Sequence, residues 1–162
     1  MKKYIQSIII ALFIALFSAS AYATTTTCGR EVHVPFFPSI YEGETITNQY
    51  NSVGIIFDGS SVIKGGNFLN PSYFFFMNNA TACKVTVVLK DWNDVNQTHT
   101  LVARDRYGRI INTDTIVEKG FDPMPTFPLV FTVKQYNPRI SSLEIVSVPS
   151  GFSQLISITY SY

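Results

Sequence analysis

The stretch THTLVARDRYGRIINTDTI, residues 98–116, carries the pattern that decides the fold. Two runs rich in Thr, Val and Ile flank a short polar segment at 105–109. Branched side chains favour strands because they fit the pleated, half-buried surface of a sheet. Gly108 can adopt the positive φ that a tight turn requires. The stretch therefore predicts an antiparallel hairpin whose turn lies at 105–109.

Three other segments alternate apolar and polar side chains with a period of two. They are residues 84–90, 129–134 and 156–162. Such alternation is typical of an antiparallel sheet with one packed face and one solvated face. The predicted packed faces consist of Val85, Val87 and Leu89, of Leu129, Phe131 and Val133, and of Ile156, Ile158, Tyr160 and Tyr162.

The remaining strand candidates are short runs separated by Gly and Pro. No window after the N-terminal segment has helical spacing, and the loop 120–128 holds three prolines, which a central strand does not tolerate. About nine strands with turn signals between them predict an all-β, antiparallel β-sandwich. The weaker six lie at 31–34, 54–57, 73–77, 98–104, 110–117 and 140–148.

The N-terminus has the pattern of a secretory signal peptide. Two lysines precede an uncharged apolar run at 8–17, and Ala21-Tyr22-Ala23 offers a small-x-small cleavage site. The apolar run is shorter than the ~20 residues of a membrane-spanning helix. We therefore expect residues 1–23 to be removed, residues 24–162 to form a single domain, and the product to be periplasmic or extracellular.

The residues after position 23 exclude one class of partner. This part has ten Lys and Arg against eleven Asp and Glu, a formal charge of −1, and it contains no basic run. A nucleic acid or an anionic membrane is therefore not an expected partner.

The part of the chain after position 23 has two cysteines, Cys28 and Cys83, which predict a disulfide in an exported protein. A metal pair is disfavoured because there is no CxxC and only two histidines.

The segment EGETITNQYNSVGIIFDGSSV, residues 42–62, carries a family resemblance. It resembles the entry segment of secreted bacterial jelly-roll domains, in which a Gly, a polar turn and a Tyr precede a GV-x-F strand. These domains are common in proteins sorted by exosortase, the PEP-CTERM type, and are related in shape to carbohydrate-binding modules. Residues 98–116 look like their hairpin with a D-x-x-G turn, and RISSLEIVSVPSGFSQLISITYSY, residues 139–162, looks like their last two strands.

The resemblance implies a jelly-roll fold and a corner at 47–52, where Tyr50 packs its ring before Ile55 and Phe57 enter the core. It also shows two departures. Leu155-Ile156-Ser157 stands where the family often has paired aspartates, so calcium is not expected there. The exosortase tail is absent, and we expect no membrane insertion after signal cleavage.

The loop KDWNDVNQTH, residues 90–99, is the predicted ligand-binding site. A sugar site needs a flat aromatic ring with amide and carboxylate groups beside it, and a loop at the end of a sandwich can present both. The alternative is that the single tryptophan caps the core. Calcium is a further alternative, since three of these residues offer hard oxygen ligands, but the EF-hand glycine and glutamate are missing. The predicted site residues are Asp91, Trp92, Asn93, Asp94 and Asn96.

No catalytic residue is assigned. The chain has no G-x-S-x-G, and His33 and His99 lie far apart in sequence. His99 shares its strand face with Leu101 and Ala103, which predicts a place at the edge of the core.

Three functions remain open, and the sequence assigns neither an oligomeric state nor a metal. The first is a non-catalytic exported module that binds a glycan or another cell-surface ligand. The second is an outer-membrane or pilus-type component, because the ending ISITYSY alternates and finishes on an aromatic residue. The third is a hydrolase without a recognisable motif.

Overall fold

The computed structural model describes residues 27–35, 45–58, 61–64, 67–69, 73–76, 80–91, 96–118, 128–148 and 153–162. Within these ranges the protein is all-β, with twelve strands and one 3₁₀ turn at Asn51–Val53. The predicted signal peptide lies outside the described residues. The strands are β1 (Glu31–Pro35), β2 (Thr45–Ile46), β3 (Ile55–Phe57), β4 (Ser61–Lys64), β5 (Asn67–Leu69), β6 (Tyr73–Phe76), β7 (Lys84–Asp91), β8 (Gln97–Arg104), β9 (Ile110–Glu118), β10 (Pro128–Lys134), β11 (Ser142–Val148) and β12 (Ser153–Ser161).

The strands form two large sheets and one small one. The four-stranded sheet has the order β1-β12-β7-β10, the five-stranded sheet has the order β3-β6-β11-β8-β9, and β2-β4-β5 form the small sheet. All strand pairs are antiparallel. The nine predicted strands are all present, with bounds that shift by one to three residues.

The pairing is that of a jelly roll. Four pairs are nested in sequence: β1 with β12, β6 with β11, β7 with β10, and β8 with β9. The chain is therefore one long antiparallel hairpin rolled into two sheets, with the β8–β9 turn at its tip. This confirms the predicted hairpin and the predicted jelly-roll class.

The hydrophobic core lies between the two large sheets. The predicted faces of β7 and β10 are confirmed, since Val85, Val87 and Leu89 are buried, and so are Phe131 and Val133. The opposite wall comes from the five-stranded sheet, and all these side chains belong to a single cluster. From that sheet the core includes Ile55, Phe57, Phe74, Phe76, Leu101, Ala103, Leu143 and Ile145.

The predicted packed face of β12 was wrong at its first residue, Ile156. The register of β12 against β7 shifts between Leu155 and Ser157, which marks a β-bulge at Ile156. A bulge adds one residue and reverses the side-chain alternation on one side of it. Leu155 consequently enters the core and Ile156 lies 36% exposed, while Ile158 and Tyr160 are buried as predicted. The prediction was also wrong at the other end of this face, since Tyr162 follows the last residue of β12 and is 48% exposed.

The predicted corner before β3 is confirmed. Tyr50 is buried with its ring centroid 5.9 Å from that of Phe57, and Ile55 and Phe57 are both in the core. The backbone N–H of Phe57 donates to Thr47 O at 2.7 Å, which closes the corner. The hydroxyl of Tyr160 donates to Val53 O at 2.5 Å and ties the corner to the other sheet.

The edges of the sandwich are tied covalently and by hydrogen bonds. Cys28 and Cys83 form a disulfide that fastens the segment before β1 to the start of β7, with their Cα atoms 5.8 Å apart. Strands β9 and β10 are edge strands of different sheets. Asn112 Nδ2 donates to Lys134 O at 3.0 Å, and Thr132 N donates to Asp114 Oδ2 at 2.7 Å. These bonds satisfy backbone groups on an edge strand and align the ends of the two sheets.

Candidate functional site

The structure describes only the margins of the predicted binding loop. Asp91 is the last residue of β7, and Asn96 is exposed just before β8. Trp92, Asn93 and Asp94 lie outside the described residues, so the predicted sugar or calcium site remains a prediction. Strand β7 ends and β8 begins at the same end of the sandwich. Asp91 and Asn96, which flank the loop, therefore lie at the end opposite the β8–β9 turn.

The β8–β9 turn is held by the carboxylate of Asp105, which is 2% exposed. Its Oδ1 accepts the backbone N–H groups of Tyr107 at 2.8 Å and Arg109 at 3.0 Å. Its Oδ2 accepts Nε and Nη2 of Arg109 at 2.8 and 2.6 Å. Gly108 has a φ of +78°, as the sequence predicts for this position. The turn is therefore a rigid platform set by one buried acid.

The environment of Asp105 favours its charged form. Burial acts to raise the pKa of this carboxyl. The side-chain hydrogen bond from Arg109, the two backbone N–H donors and the positive charge of Arg109 oppose burial, and together they hold the pKa below its ordinary value. The negative charge of Asp105 is thus compensated within the turn by Arg109 and the two backbone N–H groups.

A cleft lies between this turn and the segment that joins β10 to β11. Its volume is about 390 Å³, at the small end of the range for ligand sites. The segment that precedes β7 closes one side, since Ala82 and Ile140 exchange two backbone hydrogen bonds of 2.8 Å. The lining residues are Thr81, Asp105, Arg106, Tyr107, Asn137, Pro138, Arg139 and Ser141.

The cleft presents one exposed aromatic ring and two arginines. Tyr107 is 67% exposed. The guanidinium carbon of Arg106 lies 4.8 Å from the centroid of this ring, and Nη2 of Arg106 donates to the Tyr107 hydroxyl at 2.6 Å. Arg106 and Arg139 form no ion pair with any residue that the structure describes. The described lining residues, with Arg106 and Arg139 against Asp105, therefore carry a net positive charge.

A hydroxyl beside the cleft has no partner among the residues that the structure describes. Ser141 Oγ is shielded from solvent and has no hydrogen-bond partner within the described ranges. A buried hydroxyl without a partner is costly in a folded protein. Because the atom is shielded, it lies behind the cleft surface and does not itself offer a contact to a bound molecule.

A second polar cluster lies toward the opposite end of the sandwich. His99 is fully buried, as its strand parity predicts. Its Nδ1 lies 2.8 Å from Ser147 Oγ, and its Nε2 lies 3.6 Å from Glu118 Oε2. His33 is exposed on the other sheet, with Nδ1 2.8 Å from Thr159 Oγ1. The two histidines therefore do not share a site.

The described residues include no cluster of metal-ligand side chains and no helix that could cross a membrane. In the ranges listed for the fold, no three residues of the His, Cys, Asp or Glu type come together to hold a metal ion. No helix in this part of the chain has the length and apolar character needed to cross a membrane.

The chain matches no family model, and no curated protein or solved structure matches it. The resemblance to exosortase-sorted jelly-roll domains therefore stays a prediction from sequence motifs.

The sequence did not predict this cleft. Its residues come from three separate segments, at 81, 105–107 and 137–141, which only the rolled topology brings together. The local signal was the pair Arg106-Tyr107 inside a turn that the sequence did predict.

Proposed function

We propose that this protein is an exported, non-catalytic binding module, and that it binds a glycan or another cell-surface ligand in the cleft beside the β8–β9 turn. The exposed Tyr107, set in a cleft with uncommitted polar and cationic groups, is the observation that carries the proposal. Binding sites commonly sit on loops that a rigid scaffold positions, and the Asp105 network makes this turn rigid. The signal-peptide pattern and the disulfide support export.

Binding to immobilised polysaccharides tests the proposal. Replacement Tyr107→Ala should weaken binding at least tenfold, because it removes the aromatic surface and the group that holds Arg106. Tyr162→Ala changes an exposed ring outside the cleft and serves as the matched control. Binding that is lost in Trp92→Ala and kept in Tyr107→Ala would place the site at the predicted loop instead.

Hydrolysis is a second candidate function. It is favoured by the arrangement of Ser147, His99 and Glu118, in which the imidazole lies between the hydroxyl and the carboxylate. The complete burial of His99 counts against it, since a nucleophile and its base need access to substrate. Cleavage of simple esters or glycosides that disappears in Ser147→Ala would support this function. Inactivity against esters, glycosides and peptides would leave binding as the better proposal.

The third possibility, an outer-membrane or pilus-type component, rested on the alternation in the last strand. In the structure β12 pairs with both β1 and β7, and its inward side chains pack in the core. The sandwich itself therefore accounts for that alternation. No described contact favours this function further.

A further inference from the structure

The charges that line the cleft are not balanced. Among the lining residues that the structure describes, Asp105 alone carries a carboxylate, and Arg109 and two backbone N–H groups already engage it. Arg104, next to the turn, is paired with Glu144 at 2.7 Å and donates to Gly108 O at 3.1 Å. Two guanidinium groups, those of Arg106 and Arg139, remain for a ligand.

The tyrosine ring in the cleft positions an arginine. Arg106 lies against the Tyr107 ring and donates to its hydroxyl, and the guanidinium carbon of Arg109 is 5.3 Å from the same centroid. Cation–π contacts of this kind hold a guanidinium in place. The ring is 67% exposed, but two guanidinium groups already lie against it, so less of its face is free to stack on a neutral sugar. The geometry favours recognition through the arginines over recognition through the ring face.

Guanidinium groups recognise carboxylates through two parallel N–H donors, with both geometric specificity and charge assistance. Besides the arginines, the cleft is lined by the neutral polar residues Thr81, Asn137 and Ser141. The side chains of Thr81 and Asn137 suit hydroxyl groups of a ligand, whereas Ser141 Oγ is shielded from solvent. A ligand that carries a carboxylate and several hydroxyls meets both sets, and the cleft volume suits a monosaccharide or disaccharide unit.

We infer that the cleft binds a uronic acid unit of an acidic glycan, with Arg106 and Arg139 as the carboxylate-binding residues. This inference rests on the proposed function, which places a glycan in the same cleft. It adds the chemical class of the glycan and the residues that select it.

Calorimetric titration with trigalacturonic acid and with its methyl ester tests the inference. The two probes share the same sugar backbone, and esterification removes the charge of each carboxyl group while adding a methyl group. The acid should bind at least tenfold more tightly than the ester, and its affinity should fall as salt is raised, because exposed charges are screened. Arg106→Gln and Arg139→Gln should each weaken binding by about ten- to a hundredfold, the range for a lost charge-assisted hydrogen bond.

Arg30→Gln is the matched control, since Arg30 is an exposed arginine outside the cleft, and it should bind like the original protein. Thermal melting of each variant checks that the fold is kept. Equal affinity for acid and ester, with loss in Tyr107→Ala, would overturn the acidic class and leave glycan binding in place. Competition by inorganic phosphate or sulfate at concentrations as low as those of the acid would show that the cleft binds small inorganic anions. That result would overturn the assignment of a glycan ligand. No binding of the acid overturns the inference outright.

Discussion

Removal of the Cys28–Cys83 disulfide should destabilise the protein by about 4 kcal/mol. The bond joins residues separated by 55 positions. In the chain-entropy account, closing a loop of this length lowers the entropy of the unfolded chain by roughly 14 cal/mol/K, which is about 4 kcal/mol at room temperature. Because the bond fastens the segment before β1 to the start of β7, we also expect β1 to be the first strand to open in its absence.

The double variant Cys28→Ala/Cys83→Ala isolates this contribution. Its melting temperature, followed by far-UV circular dichroism, should lie about 10–15 °C below that of the oxidised protein. Urea unfolding should give a lower midpoint with little change in slope. A reductant should lower the melting temperature of the original protein by the same amount and leave the variant unaffected. A variant that melts within about 2 °C of the oxidised protein would show that the disulfide contributes little to stability.

Three further outcomes follow from the core and the turn. Phe131→Ala removes a fully buried ring and should lower the free energy of unfolding in urea by about 3–5 kcal/mol. The control Val130→Ala changes the exposed neighbouring residue and should lower it by under about 0.5 kcal/mol. Similar losses in the two variants would mean that the faces of β10 are misassigned. Gly108→Ala forces a side chain into positive φ and should cost about 1–2 kcal/mol by thermal melting, and no loss would contradict the turn geometry. Asp105→Asn should be less stable than the original protein at neutral pH. The folded pKa of Asp105 is lowered, so its stabilisation is present above the unfolded pKa and disappears as pH falls through the folded pKa. The two proteins should therefore converge in acid, and a gap that is constant with pH would count against the Asp105 network.

The sequence was most informative where one face of a strand is packed and the other is wet. The alternation in β7 and β10 predicted which side chains are buried, because a period of two is a local property. In β12 the same rule failed at Ile156, since a bulge depends on the partner strand and leaves no local signal. Strands β2, β4 and β5 were missed because each has two to four residues and forms only through pairing in the small sheet.

The candidate site was less accessible from sequence than the fold. The turn at 105–109 was predicted from Gly108, but its neighbours Thr81 and Arg139 are distant in sequence, and only the tertiary fold brings them to the same cleft. Composition drew attention instead to the aromatic and acidic loop that holds Trp92. A cleft made by three segments has no sequence motif of its own, which is why the sequence located a turn but not a site.

Amide chemical shifts recorded during titration with trigalacturonic acid are the decisive test of binding in the cleft, because they locate the ligand on the molecule. We expect the largest shifts at Arg106, Tyr107 and Arg139, with little change at Asn96. Shifts confined to Asn96 and the end of β7 would contradict it and would return the site to the other end of the sandwich.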